Sequence, residues 1–91
     1  MTVLRPSGEL DISTAQAFRR DVLAALTDTP ELLVVDLAEV SFLDSSGISV
    51  LVSAFKAQRD RQATLHVVNP QPIVRRALEL VGLGMLIGPV D

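Results

Sequence analysis

Two adjacent hydroxyls, Ser45 and Ser46, stand between Asp44 and Gly47, where an apolar stretch (Val40-Ser41-Phe42-Leu43) gives way to an amphipathic one. If a helix starts here, its first turn offers unpaired backbone N–H groups and a partial positive charge. Such a place favours an oxyanion, including a phosphate carried covalently by one of the serines. The same residues also make a plain helix cap, because Ser is among the preferred N-cap types and caps are common. Local chemistry alone leaves both readings open.

Other chemistries are less well served. A serine nucleophile needs a positioned base, and His66 is the one histidine, set in a strand-like run between Leu65 and Val67. No triad spacing and no Gly-x-Ser-x-Gly elbow accompany it, so His66 reads as a structural or surface residue on one sheet face. The carboxylates of Glu9, Asp11, Asp36 and Asp44 flank strand-to-helix connections. Parallel strand ends can gather such residues at one crevice. Asp also favours turns and helix starts for local reasons, and Mg²⁺ commonly needs substrate phosphates besides carboxylates. There is no Gly-x-x-x-x-Gly-Lys phosphate loop. The expectation is a non-enzyme with no metal and no cofactor.

Composition narrows the class further. Ninety-one residues suffice for one domain with its own core, and 48% hydrophobic residues are incompatible with a disordered chain. Without cysteine there is neither a disulfide nor a thiolate metal site. A net charge of −3 and three aromatics, Phe18, Phe42 and Phe55, speak against nucleic acid as a partner. No apolar run reaches the length of a membrane span and the N-terminus lacks a signal-peptide pattern, so direct membrane insertion is not expected and a cytoplasmic location is the default.

The elements that must hold these residues follow from periodicity. Val3-Leu4-Arg5 reads as a short strand ended by Pro6-Ser7-Gly8. Ser13, with Gln16 three residues later, fits a capping box for a first helix whose buried face is Ala15, Phe18, Val22, Ala25 and Leu26, closed by Thr27 to Pro30. The run Leu32–Leu37 predicts a strand covered on both faces. From the Asp44-Ser45-Ser46-Gly47 turn a second helix should extend to about Arg59 or Gln62, with Ile48, Leu51, Val52 and Phe55 as its apolar stripe. Thr64–Val68 predicts another strand. Asn69-Pro70 would cap and open a third helix, Pro72 lying in its first turn, with Ile73, Ala77, Leu80 and Val81 inside and Gly82 as the stop. The apolar tail, Leu83 to Val90, suggests a last strand or turn. Strands alternating with helices in so short a chain imply an α/β fold with crossover helices.

Taken in order, Gly8-Glu9-Leu10-Asp11, Val34-Val35-Asp36-Leu37 and Phe42-Leu43-Asp44-Ser45-Ser46-Gly47-Ile48 resemble the STAS domain, and in particular bacterial anti-sigma-factor antagonists. The resemblance covers nearly the whole chain, so residues 1–91 are read as a single STAS-like domain. It implies a small mixed β-sheet with helices packed mainly on one side. It also implies a partner-switching protein. The unphosphorylated form would bind an anti-sigma factor that is also a serine kinase and so free a sigma factor for transcription. ATP-dependent phosphorylation would release it, and a serine phosphatase would reset it. By the resemblance, the phosphorylated residue is Ser45, with Ser46 the second choice. Asp11, Asp44, Ser45, Ser46 and Gly47 then form the partner-binding surface.

Two departures stand out. Only about ten residues precede the first helix, so the N-terminal strand looks shortened. An unpaired edge of that kind invites a partner strand or a homodimer. Ser49 stands where the family often has glycine, and no role is assigned to it. The alternatives to the antagonist reading are a STAS docking subunit of a lipid or anion transport complex, a scaffold component of a stress-sensing assembly, and a nucleotide-binding domain using the strand-end crevice.

Overall fold

Strands and helices follow one another in α/β order, with two strands ahead of each of the first two helices. The computed structural model describes residues 1–88. In chain order it contains β1 (Thr2–Leu4), β2 (Ser7–Leu10), α1 (Ala15–Thr27), β3 (Leu32–Asp36), β4 (Glu39–Leu43), α2 (Ser45–Asp60), β5 (Thr64–Val68), α3 (Pro72–Leu80) and a 3-10 turn, Gly84–Leu86. β1, β3 and β5 form a three-stranded sheet in that order, and β2 pairs with β4; every one of these pairings is parallel. β1 lies at one edge. The fold is the expected α/β class, a single small domain.

The two sheets arise because both N-terminal strand pairs are interrupted. Pro6 has no N–H to give to a ladder, so β1 stops before it and β2 begins after it. Opposite, the Asp36 carboxylate takes the N–H of Ala38 at 3.0 Å, which turns the chain out of β3 and into β4. Leu37 N–H still reaches the Val68 carbonyl at 2.9 Å. β2 is not foreshadowed by the sequence, because Pro6-Ser7-Gly8 has turn composition. In fact Gly8, at φ +79°, and a register shift between Gly8 and Glu9 let Ser7–Leu10 pair with Glu39–Leu43.

Both crossovers step the same way across the sheet, and with the usual right hand this puts α1 and α2 on one face. The registers Thr2–Leu33–Leu65 and Leu4–Val35–Val67 point toward those helices, and Leu33, Val35 and Val67 are fully buried. Val34 and His66, on the opposite face, are only half-buried. β3 is therefore covered on one face and not two. His66 does lie on a sheet face, as expected, with Gly88 packed so close that an added Cβ would sit 2.6 Å from its Nδ1.

Helix 1 buries Phe18, Val22 and Ala25, as its spacing predicts. Its capping box does not form: Ser13 precedes the N-cap Thr14, and Asp11 supplies the capping acceptor instead. In α2 the buried side is Gly47, Val50, Leu51, Ala54 and Gln58, with Ile48, Val52 and Phe55 at its half-buried margin. In α3 the first-turn proline is Pro72, not Pro70, and the buried pair is Val74 and Leu78. Ile73 and Leu80 are 59% and 71% exposed, Val81 is exposed, and Ala77 is half-buried. Apolar residues occupy two adjoining faces of this helix, and packing on β4 selects the narrower one. Gly82, at φ +79°, ends it as expected. Beyond the 3-10 turn, Ile87 makes a single parallel bridge to Val67 and Gly88 N–H bonds the Val67 carbonyl at 2.9 Å. The remainder of the expected tail, Pro89 and Val90, lies outside the described residues.

Candidate functional site at the ends of strands 2 and 4

Leu10 and Leu43 are register partners at the last positions of β2 and β4. Asp11 and Asp44, one residue further on, therefore leave the sheet side by side, at about the 4.8 Å spacing of neighbouring strands. Asp44 N–H donates to the Leu10 carbonyl at 3.2 Å and ties the two exits together. This juxtaposition is what the crevice argument anticipated for these two carboxylates. Asp36 is not part of it. It ends β3, where it accepts from Asn69 Nδ2 at 3.2 Å and Ala38 N–H at 3.0 Å, and its other oxygen lies 3.5 Å from Arg5 Nε. Its role is to join three connections.

Asp44 is the N-cap of α2. Its backbone is extended (φ −111°, ψ −170°), its Oδ1 accepts from Ser46 N–H at 2.8 Å, and its carbonyl accepts from Ile48 N–H at 2.9 Å. A carboxylate is a strong cap and complements the helix dipole. The serine-cap reading therefore does not hold: neither serine fills the cap. Ser45 is exposed and Ser46 half-buried. Among the described residues, none hydrogen-bonds to the Ser45 hydroxyl.

Gly47 is buried because α2 presses against both strand ends. A Cβ there would lie 2.6 Å from Leu43 Cδ1 and 2.8 Å from the Leu10 carbonyl oxygen. Only glycine permits that approach. Gly47 therefore sets the position of the site from beneath and offers no side chain to a partner.

Asp11 is fixed by a local turn. Its Oδ1 accepts from the Ser13 hydroxyl at 2.7 Å, Ser13 N–H at 2.9 Å and Thr14 N–H at 3.2 Å. The Ser13 hydroxyl bond is the main cause of an Asp11 pKa below its ordinary 3.8, partly opposed by loss of solvent. Thr14 Oγ1 donates to the Glu9 carbonyl at 2.6 Å and accepts from Asp11 N–H at 3.0 Å. Ser13 and Thr14 were missed as site-forming residues. The Asp-x-Ser-Thr spacing is itself an Asx-turn signal and would have identified them. Ile12, in the same turn, is 83% exposed.

Two clefts of about 280 and 310 Å³ flank Arg5 and Pro6, one against Asp36, Ala38 and Glu39, the other against Leu10, Thr14 and Phe18. Ser45 lines neither. Among the described residues no group of three or more His, Asp or Glu side chains is placed to hold a metal, and no helix is long and apolar enough to cross a membrane.

Known proteins are similar to this chain in sequence and in fold. The anti-sigma-B factor antagonist of Listeria monocytogenes is 35% identical over 81 residues, 89% of this chain and 71% of its own. The anti-sigma-F factor antagonist RsfB of Mycobacterium tuberculosis is 34% identical over 83 residues, 91% of this chain and 67% of its own. The crystal structure of an anti-sigma factor antagonist from Mycobacterium paratuberculosis superposes with a TM-score of 0.83 at 34% identity, covering 93% of this chain and 72% of that one. The STAS domain model matches residues 1–91. With that match over a parallel α/β frame and a capped Asp44-Ser45-Ser46-Gly47 turn, the chain belongs to the STAS domain family.

Proposed function

We propose that this protein is an anti-sigma-factor antagonist whose STAS domain, residues 1–91, works by partner switching in the cytoplasm. Unphosphorylated, it binds an anti-sigma factor that is also a serine kinase, through the surface formed by Asp11, Asp44, Ser45 and Ser46 and shaped by Gly47. The kinase transfers the γ-phosphoryl group of ATP to the Ser45 oxygen: the O–P bond forms, ADP leaves, and the hydroxyl proton passes to the kinase. The modified protein lets go, and a serine phosphatase returns it to the hydroxyl form by hydrolysis, releasing inorganic phosphate. The protein acts as a binding partner and substrate in this cycle, not as an enzyme.

The observation that carries this reading is the division of labour between Asp44 and Ser45. Asp44 supplies the cap, so among the described residues the Ser45 hydroxyl is spent on no structural bond, and it stands exposed at the helix start. Ser46 is half-buried, with its N–H held by Asp44, which ranks it second. A phosphate adds roughly −1.5 to −2 charges beside two carboxylates. A thousandfold loss of affinity requires about 4 kcal/mol, which a poorly compensated charge in a packed interface can supply. No refolding is needed.

The test is phosphosite mapping after incubation with host lysate, Mg-ATP and phosphatase inhibitors, with Ser45→Ala alongside. One phosphoryl group on Ser45, absent from the variant, is the expected result. No modification by lysate kinases shown to be active would reject it and favour the transport-linked docking subunit. In pull-downs with ATP, Ser45→Ala should stay bound to its partner while the wild type is released.

A further inference from the structure

A phosphate on Ser45 would not find every N–H of the first turn of α2 free. Two N–H groups of the first turn of α2 are already engaged, Ser46's by the Asp44 carboxylate at 2.8 Å and Ile48's by the Asp44 carbonyl at 2.9 Å. The Asp44 carboxylate itself repels a second anion. Side chains three and four residues ahead are the helical neighbours of Ser45, and these are Ile48 and Ser49. Ile48 has no polar atom. Lys56, the first cationic side chain of α2, starts about 16 Å further along the axis at 1.5 Å per residue.

Ser49 is already oriented toward the modified end. Its Oγ donates to the Ser45 carbonyl at 2.9 Å, and both residues are exposed. Helical side chains lean toward the N-terminus, which keeps this hydroxyl one turn below Ser45 on the same face.

We propose that Ser49 is a positioning residue of the phosphorylated form. Its hydroxyl turns from the Ser45 carbonyl to a phosphate oxygen on Ser45 and holds the phosphate along the outer face of α2. The proposal rests on Ser45 being the phosphorylated residue. A back-bonded serine does little for a helix, and the bond can even destabilise it slightly. A dianionic acceptor offers the same hydroxyl a charge-assisted bond. That bond favours the dianion over the monoanion, so it lowers the second ionisation of the phosphate.

The test installs phosphoserine at position 45 of the full chain during translation, which bypasses any kinase, and follows the ³¹P resonance through a pH titration. Ser49→Ala should raise the second phosphate pKa by ~0.3 to 0.5 unit relative to the wild-type chain. Ser49→Thr, whose Oγ1 can make the same bonds, should stay within ~0.1 unit of wild type. Ser53→Ala, two turns from the phosphate on the same exposed face, should leave the value unchanged. An unmoved pKa in Ser49→Ala, or an equal shift in Ser53→Ala, overturns the proposal. Alanine is the better helix former, so melting of the unphosphorylated variants should show the fold intact. Because the phosphate is placed directly, this titration judges Ser49, whereas lysate labelling judges Ser45.

Discussion

Residues of one chemical type do different work here according to what surrounds them. Asp36 joins connections, Asp44 caps a helix, and Asp11 anchors a turn. For Asp11 the consequence is a pH dependence. Its carboxylate is held below the ordinary value chiefly by the Ser13 hydroxyl, so its stabilising contribution is complete above pH 3.8 and is lost as pH falls through the lowered value. Asp11→Asn should therefore be less stable than wild type near neutrality, and the gap in urea midpoint should hold down to about pH 3.8 and close as pH falls further, through the lowered value. Urea unfolding across that range checks it. Gly47 gives a sharper outcome. Its surroundings leave no room for a Cβ, and the nearest obstacle includes the Leu10 carbonyl, which belongs to the backbone. Gly47→Ala should cost ~1 to 3 kcal/mol and lower Tm by roughly 5 to 15 °C in a thermal melt.

Among the elements, helices 2 and 3 show where apolar periodicity stops short. α3 carries two candidate apolar faces one residue apart, and only the seam against β4 decides between them. Leu78→Ala should cost ~2 to 5 kcal/mol, whereas Ile73→Ser and Leu80→Ser should stay within ~0.5 kcal/mol of wild type by urea unfolding. The sequence spacing alone predicts the opposite order. In α2 the same comparison separates Leu51, fully buried, from Ile48, which sits at the margin of the core. Leu51→Glu should abolish the cooperative melt, and Ile48→Glu should lower Tm by less. In α1 the face read from the spacing is the one that packs: Phe18, Val22 and Ala25 are buried while the neighbouring Leu23 stays 57% exposed.

At the scale of the whole molecule, two separately paired sheets share one apolar core that runs from Leu10 and Leu43 to Leu65, Val67 and Leu86. They should unfold together. Far-UV circular dichroism and the methyl resonances of Leu43 and Leu65 should report one urea midpoint, and two midpoints would mean that the β2–β4 pair is an independent unit. The α/β succession, the helix start at Asp44-Ser45-Ser46-Gly47 and the Thr64–Val68 strand are legible in the sequence alone. Each of these is written in local chemistry: polar turn residues and a glycine ahead of an amphipathic run, an alternation of polar and apolar side chains, a breaker at either end. The pairing of Ser7–Leu10 with Glu39–Leu43, the juxtaposition of Asp11 with Asp44, and the tight seat of Gly47 were decided only in the tertiary structure. They depend on register between segments some thirty residues apart, and register is set by which faces find a core to bury in, not by any residue's own preference.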